Sequence, residues 1–125
     1  SYKMEIKNII GWVGMLLATF WAGIHMLVAG AIAINISLLL GAFVGMFVGL
    51  SIISGLIFLL NWKKYYLPNI IFWLIMLLTL IFGYVHYIRN GDINALFTNT
   101  LAGITLVIDI IETLLALIIW KIDRE

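Results

Sequence analysis

Four long apolar runs make up most of this chain, and they leave it few folds to choose from. They lie at about 9–30, 37–60, 67–88 and 101–120. A membrane-spanning helix needs roughly 20 apolar residues, whereas a spanning strand needs only about 9–11. Periodicity cannot separate helix from strand in such runs, so length decides. A helix also closes its own backbone hydrogen bonds, as hydrocarbon demands. The expected fold is an all-α membrane protein. It is a four-span transmembrane helix bundle forming a single transmembrane domain over 1–125.

Composition supports the same class. Of the 125 residues, 65% are hydrophobic and 10% charged; a soluble domain carries about 45–50% and 25%. The chain has no Cys, which excludes disulfides, thiolate chemistry and Cys-ligated zinc or iron–sulfur clusters. A net charge of +1 gives no field for nucleic acid. Neither HExxH, GxSxG nor a phosphate-binding glycine loop occurs. No metal site is expected, and no enzyme activity beyond a non-catalytic place in a membrane enzyme complex.

Lys3 and Lys7 precede the first run, and Ala31-Ile32-Ala33 resembles a signal-peptide cleavage site. The run from Ile9 to Val28 exceeds a typical h-region of about 7–15 residues, so it is expected to be retained. With the N-terminus inside, Lys3, Lys7, Lys63, Lys64, Lys121 and Arg124 are all cytoplasmic, and only Arg89 lies outside. That asymmetry predicts both termini on the inner side of the cell membrane. Trp12, Trp62, Tyr65, Tyr66 and Trp120 then anchor the inner interface, and Tyr84 and Tyr87 the outer one. Lys63 and Lys64 are expected to meet anionic head groups. The connections fall at Ala31 to Ile36, at Asn61 to Tyr66 before Pro68, and at Arg89 to Thr100. The last holds the turn signal Asn90-Gly91-Asp92 and room for a short surface helix around Ile93 to Phe97.

Helices in lipid associate through small residues and polar contacts, and each run shows a stripe of these at helical spacing. The first has Gly14, Ala18, Ala22, His25 and Ala29; the second has Ser37, Gly41, Gly45 and Gly49. The third has Met76, Thr79, Gly83, His86 and Asn90; the fourth has Ala102, Thr105, Asp109, Glu112 and Ala116. The glycine ladder reads as close helix approach, either within the chain or between copies of it.

Asp109 and Glu112 carry the functional expectation. They are three apart and share a helix face, roughly 12 and 17 Å below the outer end of the fourth run at about 1.5 Å per residue. A charged side chain at the membrane centre costs about 3 kcal/mol or more. Two carboxylates this close in low dielectric do not both ionise. Gly45 and Gly49 fall at similar depth, His25 is a plausible neighbour, and no Lys or Arg lies in any run.

The expected function is therefore a small subunit of an oligomeric or multi-subunit assembly. It moves or couples protons or small cations through Asp109 and Glu112, with His25 and Thr105 beside them. Its partners are the lipid bilayer, other membrane subunits or copies of itself, and no nucleic acid. Two alternatives stand beside it. One is an accessory structural subunit packed against a larger respiratory or transport complex. The other is a haem b or quinone-binding electron-transfer subunit with His25 and His86 as haem ligands; otherwise no cofactor is expected. In size and hydropathy the chain resembles the small multidrug transporters and the small fluoride channels. Those transporters carry their key carboxylate in the first helix, where this chain has none, so no residue role is carried over.

Overall fold

The computed structural model describes residues 1–83 and 100–124, all helix and turn with no strand among them. Helix α1 spans Tyr2–Asn35, α2 Leu38–Leu60, α3 Tyr66–Gly83 and α4 Thr100–Arg124. All four are long and apolar enough to cross a membrane. The chain divides into two units, Ser1–Lys63 and Lys64–Glu125. Each is a pair of packed helices, and each is described by itself. The turn at 90–92, the surface helix around 93–97, and Tyr84, His86, Tyr87 and Arg89 lie outside the described residues.

In the first hairpin, α1 is longer than expected at both ends. Ser1 caps it, its side chain accepting from the Met4 N–H. Residues 31–35, expected as a connection, continue the helix. Nothing after Gly30 breaks it, and Asn35 returns a hydrogen bond from its amide to the Ala31 carbonyl at 3.0 Å. The reversal is Ile36 and Ser37 alone. Both their N–H groups bond the Ile32 carbonyl at 2.9 Å, and the Ser37 hydroxyl accepts from the Leu40 N–H to cap α2. At its other end α2 stops at Asn61 in the left-handed conformation (φ 52°), which asparagine tolerates with little strain.

The two helices run antiparallel with their smallest residues at the contact. A Cβ added at Gly14 would run into the Phe58 ring, and one at Gly11 would fall 2.8 Å from the Phe58 carbonyl oxygen. At the other end, a Cβ on Gly41 would meet the Ala33 Cβ at 2.5 Å and the Ala29 carbonyl at 2.7 Å. Gly14, Ala18, Ala22 and Ala29 are buried on α1. On α2 the buried series runs Gly41, Val48, Ser51, Gly55 and Phe58. It does not follow the ladder of Gly41, Gly45 and Gly49. Gly45 is half-buried and Gly49 exposed, and a Cβ at either would meet nothing within 4 Å. The reason is rotational. Each i+4 step overshoots a full turn by about 40°, whereas a seven-residue repeat falls short by only about 20°. The repeat stays on its partner while the ladder winds away.

The second hairpin has the same seven-residue character. On α3, Tyr66, Asn69, Ile70 and Trp73 are buried. This corrects the expected stripe: Met76 sits at its edge, and Thr79 and Gly83 are exposed. Tyr66, expected at the lipid interface, is buried as well, because its hydroxyl has a partner on α4. Pro68 lies in the first turn, where a missing N–H costs no helical bond.

Candidate functional site: a buried acidic seam on α4

Along the buried face of α4, with Ile108 and Thr113 buried beside it, a stripe runs Ala102, Thr105, Asp109, Glu112, Ala116, Ile119 and Asp123. Spacings of three and four alternate without a break, the pattern that keeps one helix face on a left-handed partner. Three of those seven positions are acidic. Asp109 is 1% exposed, Glu112 0% and Asp123 5%. All five inward residues expected on this helix are buried, and Asp123 extends the series beyond them.

The polar side chains of these helices mostly bond their own backbone. The Thr113 hydroxyl donates to the Asp109 carbonyl at 2.7 Å, Ser51 to Val48 at 2.7 Å and Thr19 to Met15 at 2.8 Å. Such back-bonding is what an apolar helix can offer a donor. A carboxylate needs donors instead, and the helix backbone has already spent its own. Asp123 solves this across the hairpin: the Tyr66 hydroxyl donates to its Oδ2 at 2.8 Å. Glu112 has no such solution. Neither of its carboxyl oxygens has a hydrogen-bond partner among the described residues, and the charge acting on it is that of Asp109, one turn away.

The Tyr66–Asp123 bond also fixes level. Counting equal numbers of residues along the two antiparallel helices brings Leu77 beside Glu112 and Leu80 beside Asp109. Met76, Leu77 and Leu80 are half-buried, so α3 presents hydrocarbon at that height. Tyr66→Phe takes the Tyr66 hydroxyl donor away from the buried Asp123 carboxyl, a loss of about 1–3 kcal/mol. The expected result is a lower midpoint of unfolding in mixed micelles, with less loss when Asp123→Asn is added.

Residues expected at the same centre are distributed as follows. Thr105 is buried one turn before Asp109. His25 belongs to the first hairpin and is half-buried. Its ring stacks on Trp21 with centroids 3.6 Å apart, and its Nδ1 lies 2.9 Å from the Trp21 carbonyl. A carbonyl only accepts, so Nδ1 carries the hydrogen and Nε2 the lone pair. That tautomer suits a ligating histidine as well as a hydrogen-bonded one. The second haem ligand expected, His86, lies outside the described residues. Among the described residues, no three His, Cys, Asp or Glu side chains gather where they could hold a metal ion.

Sequence reasoning missed Asp123, Tyr66 and Asn69 as buried polar groups. For Asp123 the signal was present: it continues the alternation of three and four from Ala102. For Tyr66, the conventional role of interfacial tyrosines concealed the hydrogen bond.

No family model, curated protein or solved structure matches this chain. The fold and site define a class, a membrane protein of four candidate spanning helices with an acidic seam along the last.

Proposed function

We propose that this protein is a small membrane subunit, in an oligomeric or hetero-subunit assembly, that moves or couples protons or small cations through Asp109 and Glu112. The observation that carries this reading is the Glu112 carboxyl, completely buried and without a hydrogen-bond partner among the described residues. A group so costly to hold in hydrocarbon has functional use as its default explanation. Thr105 lines the approach to the pair from the N-terminal side of α4. In vesicles reconstituted with the full chain and any co-purifying subunits, Glu112→Gln and Asp109→Asn abolish ion-gradient-driven flux. Unchanged flux in both variants overturns the reading.

A second reading makes the pair an assembly contact. The described spans hold no Lys or Arg among their buried residues, so a basic side chain of another subunit would complete the site. In that case Glu112→Gln dissociates a purified complex, and flux is lost only because the complex is.

Both termini are assigned to the cytoplasmic face of the cell membrane, on the distribution of Lys and Arg. The absence of Cys makes single-cysteine mapping clean. Lys7→Cys and Lys121→Cys are expected to react with an impermeant maleimide in inverted vesicles and not in intact cells. The opposite pattern reverses the assignment.

A further inference from the structure

We infer that the species exchanged at Glu112 is the proton and not a metal cation; this rests on the transport reading above. The argument is one of donor sets. A dehydrated divalent cation takes about six or more oxygens at one point, and channels for other cations likewise replace the hydration shell with several oxygens. Glu112 has Asp109 one turn away and, among the described residues, no hydrogen-bond partner on either carboxyl oxygen. Thr105 is seven residues away, about 10 Å along the axis, too far to share a ligand with Glu112. The Thr113 hydroxyl is held on the Asp109 carbonyl. At this level α3 offers Leu77 and Leu80, and from Leu67 to Gly83 it carries no Asp, Glu, His, Lys or Arg. Its Tyr66 is engaged about three turns away at Asp123.

The same surroundings suit a carboxylic acid. A neutral carboxylic acid costs far less to hold in such surroundings than a carboxylate, which needs donors that an apolar helix has already spent on its own backbone. A proton therefore needs no coordination shell here. It breaks from the Glu112 oxygen to water entering from one side, and the carboxylate takes one back from water on the other. Beyond Glu112 the seam is closed by Ala116 and Ile119, 0% and 1% exposed. Polar Thr105 lies on the opposite side.

A buried carboxylic acid has a specific reactivity. Its O–H adds across the N=C bond of dicyclohexylcarbodiimide, with the proton passing to nitrogen and no group leaving, and the adduct rearranges to a stable N-acylurea. The full chain in membranes is treated with the reagent and the adduct located by mass spectrometry. Labelling at Glu112 is expected, and it is expected to be unchanged by sodium, potassium, magnesium or calcium at constant pH. In reconstituted vesicles the reagent and Glu112→Gln both abolish flux driven by a pH gradient.

Protection of Glu112 by one of the cations overturns the proton assignment. So does a Glu112-dependent cation flux without proton flux. Both outcomes leave the transport reading standing. Absence of labelling at Glu112 in the wild-type chain also overturns the assignment. Flux of every kind independent of Glu112 overturns the transport reading itself.

Discussion

Glu112→Leu is expected to make the protein more stable and inactive at once. Leucine is larger than the acid by about one methylene and has nothing that needs a donor. The wild-type side chain is buried with no hydrogen-bond partner among the described residues, a cost of about 1–3 kcal/mol that leucine removes. Replacing buried polar groups by well-packed apolar ones is often neutral or stabilising, by about 1–4 kcal/mol for ion pairs. Unfolding in mixed micelles should show a higher midpoint, while flux in vesicles falls to the protein-free background. A structural carboxyl with a partner would give the reverse: lower stability, with activity following it down. The two readouts moving apart is what separates a working acid from a packed one.

The second large effect is a contrast along one helix. Gly41→Ala places a methyl 2.5 Å from the Ala33 Cβ and 2.7 Å from the Ala29 carbonyl. A backbone oxygen cannot rotate aside, so α1 and α2 must part at that end. Overpacking of this kind costs about 1–3 kcal/mol. Gly49→Ala adds the same methyl where nothing lies within 4 Å, and alanine is the better helix former by about 1 kcal/mol. Unfolding in mixed micelles should show a marked loss for the first and none for the second. Equal losses would mean that the glycine ladder packs as a unit, against the geometry of the first hairpin.

That contrast shows where the sequence was legible. Hydropathy and length identified the four helices, because only helices satisfy a backbone in hydrocarbon. The inward face of α4 was readable because its acids, its threonine and its alanines mark one side of an otherwise uniform run. The faces of α2 and α3 were harder. On α2 the unbroken i+4 series of glycines is the conspicuous pattern, but the seven-residue repeat through Gly41, Val48 and Gly55 makes the contact. On α3 the small and polar residues Thr79 and Gly83 mark one stripe, but Trp73 and Ile70 fill the buried face. In a run where nearly every residue is apolar, composition no longer distinguishes the two sides of a helix, and only the exact repeat does. The connection at residues 31–36 was misread for a related reason. It holds neither charge nor helix breaker, so α1 runs on to Asn35.

The Phe58 ring against Gly14 bears on motion. With Gly11 facing the Phe58 carbonyl and Gly55 facing Ala18, the ring works like a key in a slot. The ring's neighbours along this face of α1 lie one turn away, Ile10 and Gly11 on one side and Ala18 on the other, all buried. A shift of one helix along the other, of the kind used in some switching proteins, would first have to lift the ring out of the space that Gly14 leaves.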